Sequence, residues 1–232
     1  MPANELLSDL IMIFHKACKK AAKKISKYID VLVIIFYFAI LIILTKYKFM
    51  KSNIVEKLLN LLETKGSNIQ YGNENVTQLE HALQCAELAE KNNFSKEIIT
   101  AALLHDIGHL LYDGEDPINE GKDGYHENLG ADYLSTYYGE EVTRPIRAHV
   151  ACKRYLSSVE DGYYEVLSEA SKISLEAQGG PFTKEEAEEF IKKPFMKEAV
   201  ELRRFDDQAK LLDKKTPNLA HFKNYLEESL KN

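Results

Sequence analysis

Between positions 54 and 212 apolar residues recur three and four apart and nowhere alternate over a useful length, so the chain can bury its hydrophobic surface only as packed helices. That spacing predicts helices over 54–62, 79–89, 98–111, 133–138, 146–156, 163–175 and 195–212. Asn75 with Gln78, and Thr183 with Glu186, have the separation of helix-opening capping boxes. Gly179-Gly180-Pro181 stops the helix before it. The expected fold is an all-α bundle. The irregular stretch 113–124, with Gly114, Pro117, Gly121 and Gly124, is expected to form a loop over one side of a site.

Inside one of these apolar segments, Ala101-Ala-Leu-Leu-His105-Asp106-Ile-Gly-His109 places an adjacent His-Asp pair and a second histidine. Burying such groups costs several kcal/mol unless something pairs with them, and a metal ion is the usual partner of a His-Asp cluster. His81, His126, His149 and Asp206 stand on other segments, so the candidate ligands are His81, His105, Asp106, His126, His149 and Asp206. These exceed what one tetrahedral ion requires and suit two octahedral ions bridged by a carboxylate, with Asp106 as the natural bridge. On a continuous helix His109 would share the face of His105, about 6 Å further along the axis. Cys85 shares the face of His81; a buried free cysteine more often packs as a small apolar residue than it binds metal.

Helical spacing also places cations and hydroxyls beside these groups. Lys153 falls one turn after His149, Arg203 three residues before Asp206, and Ser171 and Ser174 three residues apart. Two cations and two hydroxyls next to a metal pair make a pocket for a tetrahedral oxyanion, which Arg203 can grip through two hydrogen bonds.

Charge is distributed unevenly. Residues 1–51 hold nine lysines against Glu5, Asp9 and Asp30, whereas the chain as a whole carries −6, so the body is strongly acidic. An acidic body without a basic stripe argues against nucleic acid as the partner. Cys18, Cys85 and Cys152 are odd in number and lack paired spacing, which argues against a disulfide framework and fits a reducing, cytoplasmic compartment.

Residues 1–49 read as an N-terminal apolar helical extension and 50–232 as the catalytic bundle. Residues 31–44 are fourteen uninterrupted apolar positions flanked by lysines, short of the roughly 20 that span a bilayer. Two readings stand for this extension. It is a membrane anchor over 31–45, or it precedes the true start at Met50, where Met50-Lys-Ser-Asn-Ile-Val opens the first amphipathic helix.

The motifs Tyr71-Gly-Asn-Glu74, Gln78-Leu-Glu-His81, Leu103-Leu-His-Asp-Ile-Gly-His109, His149-Val-Ala-Cys-Lys153, Ser171-Lys-Ile-Ser174 and Leu202-Arg203-Arg-Phe-Asp206-Asp207 together resemble the HD-domain superfamily. Within it they are similar to the PhnZ-type oxygenases of organophosphonate breakdown, relatives of inositol oxygenase. The resemblance implies an HD-domain helical bundle holding two iron ions in a mixed-valent Fe(II)/Fe(III) pair, with O2 as co-substrate. One iron would be held by His81, His105, Asp106 and Asp206, and the other by His126, His149 and the bridging Asp106. His109 would stand outside the ligands and hydrogen-bond or deprotonate the substrate hydroxyl. Tyr71 would cap a metal position until Glu74 receives the substrate's cationic nitrogen, while Lys153, Ser171, Ser174 and Arg203 would hold the phosphonate. The implied reaction is oxidative C–P cleavage of a 2-amino- or 2-trimethylammonio-1-hydroxyethylphosphonate, giving phosphate and glycine or glycine betaine. The alternative is a two-metal HD-domain phosphohydrolase acting on a phosphate ester.

Overall fold

A computed structural model describes residues 3–72, 74–112 and 124–231. The chain divides into two compact units, Met1–Met50 and Lys51–Asn232. The first unit is helical through its described residues, part of a helix α1 (Ala3–Leu61) that presents Phe14, Phe36 and Tyr37 to solvent. Among the described residues no helix is long and apolar enough to cross a membrane, so the anchor reading of 31–45 gains no support. The side chains of Val31, Val33, Ile34, Ile43 and Leu44 in that run lie outside the described residues, as do residues 113–123 of the loop expected at 113–124.

The second unit is a helical bundle. After the end of α1 come a single π-helical turn, Leu62–Gly66, then α2 (Gln78–Lys91), α3 (Lys96–Leu104), a 3-10 turn at Ile107–Leu110, α4 (His126–Ser135) and α5 (Glu140–Val159). The chain continues through α6 (Tyr163–Val166), α7 (Glu169–Ala177), α8 (Lys184–Ile191), α9 (Met196–Gln208) and α10 (Leu219–Ser229). Extended pairing among the described residues is limited to two isolated bridges, Gln70 with Thr77 and Tyr138 with Leu230.

Local chemistry sets the helix starts. Thr77 caps α2 and Thr183 caps α8, each in a reciprocal box with the glutamate three residues on, while Ser95, Ser168 and Asn218 cap α3, α7 and α10. The first box therefore uses Thr77 and Glu80 rather than Asn75 and Gln78. The predicted helix 163–175 is broken at Leu167, which turns extended so that Ser168 can cap α7.

Two apolar clusters fill the bundle. The first gathers Leu58, Leu103, Leu104, Leu134, Ile146, Leu202 and Phe222 from α1, α3, α4, α5, α9 and α10. The second gathers Cys152, Leu156, Leu175, Phe190 and Ala199 from α5, α7, α8 and α9. Helices α5 and α9 contribute to both. Where α5 leaves one cluster for the other it carries His149, and α9 carries Asp206 one residue past Phe205.

Candidate metal centre

The expected continuous helix over 98–111 ends at the His-Asp pair. Helix α3 stops at Leu104, His105 and Asp106 form a turn, and the chain tightens into the 3-10 turn at Ile107–Leu110. Gly108 accounts for the change: a Cβ there would lie 2.0 Å from the carbonyl oxygen of His126. Gly130 of α4 meets the same turn from the other side, 3.2 Å from the Gly108 nitrogen by the same measure. Only glycine allows α4 so near the dyad, and that approach presents His126 to Asp106. Tyr125, just before His126, adopts φ +50, a left-handed conformation costing a non-glycine residue roughly 1 kcal/mol. His109 consequently departs from the regular helical register with His105; its ring stacks on His126 with centroids 3.9 Å apart.

Six side chains from five segments converge in the interior: His81 of α2, His105 and Asp106 of the turn, His126 of α4, His149 of α5 and Asp206 of α9, all buried. Asp106 stands at the middle. Its Oδ2 lies 3.5 Å from His105 Nε2 and 3.8 Å from His81 Nε2, while its Oδ1 lies 3.3 Å from His126 Nε2 and 3.5 Å from His149 Nε2. Asp206 Oδ1 completes the first group, 3.4 Å from His81 Nε2.

Hydrogen bonding fixes which ring atoms face inward. His81 Nδ1 donates to Ala209 O at 2.8 Å, His105 Nδ1 to Ala102 O at 2.9 Å, and His149 Nδ1 to Ile146 O at 2.7 Å. A ring whose only proton sits on Nδ1 carries a lone pair on Nε2, and His81 Nε2 lies 3.2 Å from His105 Nε2. The contact calls for a cation between the two nitrogens, a proton on His81 or a metal ion; burial would push the His81 imidazole down, but Cys85 and Asp206 beside it raise it well above its ordinary value. Burial pushes the His105 and His149 imidazoles down, His149 strongly, which keeps both neutral and able to ligate. Burial would push Asp106 up, but the facing imidazoles, His105 foremost, hold it well below the usual carboxylate range. Asp206 is likewise held low, by Arg203 and His81 against the effect of burial. Two neutral histidines with Nδ1 anchored to backbone, beside two ionised carboxylates, form a donor set that fits metal ions.

Cys85 Sγ is 3.6 Å from His81 Nε2, so geometry admits it to the first group. Burial pushes its thiol up, which disfavours the thiolate that would bind metal. The sulfur fills space beside the ligand.

The residues expected around the histidine and aspartate cluster divide into those that touch it and those held at one remove. Tyr71 donates to Asp206 Oδ1 at 2.8 Å and stacks on His81 at 3.7 Å. Glu74 closes a tight turn with Tyr71, its N–H donating to the Tyr71 carbonyl at 2.9 Å. Lys153 donates to Ser174 Oγ at 2.6 Å, and Ser174 donates to the Ser171 carbonyl, so these two groups do meet. Burial, reinforced by Arg203, lowers Lys153 to about 7 against the partial opposition of Asp206 and Asp207.

Arg203 differs from expectation. Its two terminal nitrogens donate to Asp206 Oδ2 at 2.6 Å and to Asp207 Oδ1, and Asp207 in turn accepts from Tyr163. The guanidinium fork thus holds carboxylates, and only Nε has no hydrogen-bond partner among the described residues. Residues to which sequence reasoning gave no part in the site are Gly108, Tyr163, expected only in a packing seam, and Lys210. Lys210 donates to Ser171 Oγ at 3.1 Å and lies 3.6 Å from Glu74 Oε1. A glycine inside the histidine motif was a signal for the first; nothing in the local sequence marks the other two.

An HD-domain family model matches residues 78–178. The chain is 46% identical over 178 residues to a hydroxymethylphosphonate dioxygenase of Gimesia maris, covering 76% of this chain and 88% of that protein. It is 42% identical over 176 residues to a glycine-betaine-forming [1-hydroxy-2-(trimethylamino)ethyl]phosphonate dioxygenase of Leisingera caerulea, covering 75% and 89%. An uncharacterised protein of Acanthamoeba polyphaga mimivirus is 39% identical over 185 residues, covering 77% of this chain and 84% of its own length. With its buried histidine and aspartate groups in place and these relatives aligned over most of their length, the chain belongs to the HD-domain family and, within it, to the phosphonate dioxygenases.

Proposed function

We propose that the chain is a di-iron oxygenase that cleaves the C–P bond of a 1-hydroxyphosphonate, R–CH(OH)–PO3H2 + O2 giving R–COOH and phosphoric acid. Four electrons pass from the substrate carbon and the C–P bond to O2, so the balance needs no added reductant. The observation that carries this reading is the division of Asp106 between two histidine pairs, one oxygen to each, which is the arrangement of a carboxylate bridging two metals.

His81, His105 and Asp206 would hold one iron with Asp106, and His126 and His149 the other. A mixed-valent iron pair would supply the redox chemistry, which a redox-inert ion cannot. The remaining work falls to side chains. Lys153, with Ser174 hydrogen-bonded to it, marks the phosphonate end, together with Ser171. Arg203 supports that end through Asp206 and Asp207 and offers Nε. His109, stacked on His126, is placed to accept the hydrogen-bonded proton of the substrate hydroxyl. Tyr71 covers Asp206 Oδ1 beside His81 in the absence of substrate. Because Glu74 closes the same tight turn, a substrate cation drawn to Glu74 would lift Tyr71 with it.

An oxygen electrode with parallel phosphate assay tests the reading. Protein reconstituted anaerobically with Fe(II) and then exposed to air with 1-hydroxyphosphonates, including the 2-amino- and 2-trimethylammonio-ethyl compounds and hydroxymethylphosphonate, should release one phosphate per O2 consumed. Phosphate released at an undiminished rate without O2, or none from any of them, overturns it.

A further inference from the structure

We propose that Lys210 is an internal counterion of Glu74 that stands where a substrate's cationic nitrogen would otherwise act, and so sets the preference of the site between uncharged and cationic hydroxyphosphonates. This rests on the substrate class proposed above.

Lys210 follows α9 by two residues, and its side chain is 13% exposed. One ammonium there touches three groups assigned to the lid and the substrate. It lies 3.6 Å from Glu74 Oε1, donates to Ser171 Oγ at 3.1 Å, and stands 5.6 Å from the centroid of the Tyr71 ring. The last distance is within reach of the ring's quadrupole.

The pair with Glu74 is ionic without being hydrogen-bonded: Glu74 Oε1 is buried and has no hydrogen-bond partner among the described residues. A carboxylate in that condition is partly compensated, and a better-placed cation would gain by replacing the lysine. Two consequences follow from where Lys210 sits. With Lys210 at Glu74, a substrate bearing no cation meets a lid already neutralised. A substrate bearing an ammonium must instead push Lys210 aside, since two cations at one carboxylate repel each other, and the ammonium then retains only its bond to Ser171. Lys210 therefore works against cationic substrates and in favour of uncharged ones.

The test compares two ligands of one shape and different charge. These are 1-hydroxy-2-(trimethylammonio)ethylphosphonate and its uncharged isostere 1-hydroxy-3,3-dimethylbutylphosphonate. Their affinities are measured by anaerobic titration calorimetry on the iron-loaded full chain. Lys210→Met should shift the ratio of affinities toward the cationic ligand by about tenfold or more, which is 1.4 kcal/mol, whereas Lys210→Arg should leave the ratio within about twofold of the parent. Loss of affinity by the same factor for both ligands would make Lys210 a phosphonate contact only and overturn the proposal. A shift toward the uncharged ligand, or none, would do the same. Phosphate release by the parent protein is scored separately, so ligands that bind with the expected ratio but yield no phosphate under air would sink the oxygenase reading and leave the role of Lys210 standing.

Discussion

The phenol of Tyr71 donates to Asp206 Oδ1 at 2.8 Å, the same carboxylate oxygen that lies 3.4 Å from His81 Nε2. The tyrosine thus rests on the rim of the first candidate metal group, its ring flat against His81. A hydrogen bond to a charged acceptor is worth about 1.5–3 kcal/mol, enough to hold a short turn closed and weak enough for ligand binding to reverse. Tyr71→Phe should retain its metal yet lose Fe(II) to air oxidation several-fold faster than the parent when no substrate is present. Unchanged oxidation in the substrate-free state, followed by iron-specific spectroscopy, would remove the cap from the account.

Gly108 offers a test of how the turn builds the site. The Ala side chain in Gly108→Ala would place its Cβ 2.0 Å from the backbone oxygen of His126, a contact that the main chain of α4 must move to relieve. The expected outcome is a protein that folds, by circular dichroism, with a lower melting temperature and with metal lost first from the His126–His149 side. Gly130→Ala, whose Cβ would meet the same turn at 3.2 Å, should show a milder form of the same defect.

Much of this was legible in the sequence. Spacing of apolar residues identified the all-α class because helix periodicity survives any tertiary arrangement. The buried cluster of His81, His105, Asp106, His126, His149 and Asp206 was visible as candidate ligands because histidines and aspartates at otherwise apolar positions are hard to account for without a partner. Other features depend on contacts that no local window contains. The helix break at His105–Asp106 is imposed by the approach of α4, a segment some twenty residues away. The box at Thr77 won over Asn75 because Glu80 can reach back to the Thr77 N–H, at 2.7 Å. Arg203 reads as an anion grip from its spacing to Asp206, but the neighbouring Asp207 takes its second nitrogen. Lys210 belongs to no motif, and only the path of the chain after α9 brings it to Glu74.

Lys153 supplies a pH-dependent prediction. Its ammonium is lowered from the ordinary 10.5 to about 7, first by burial and then by Arg203. Between those values the unfolded chain binds a proton that the folded chain does not, so this group makes stability rise with pH from about 7 toward 10.5 and weighs against the fold below 7. Lys153→Met should therefore raise the melting temperature of the metal-loaded protein near pH 6, with the advantage shrinking toward pH 10. The same variant should bind every hydroxyphosphonate more weakly. Thermal scans across pH with parallel binding titrations decide it, and a variant less stable at pH 6 would contradict the argument.

His109 and Asp106 stand three residues apart but differ in what their loss should do. His109→Ala removes a ring stacked on His126 without removing an assigned ligand, so metal content should hold while turnover falls by about 10²–10⁴, the range for a lost proton-transfer group. Equal metal loss in His109→Ala and Asp106→Ala would reject the separation of the two roles.

The central claim is that Asp106 joins two metal ions, and metal stoichiometry reads it most directly. Iron-reconstituted parent protein, measured by inductively coupled plasma mass spectrometry, should hold close to two irons per chain and on partial oxidation give a coupled Fe(II)/Fe(III) electron paramagnetic resonance signal, while Asp106→Ala holds none. A single iron per chain in the parent, with an uncoupled signal, would contradict the account.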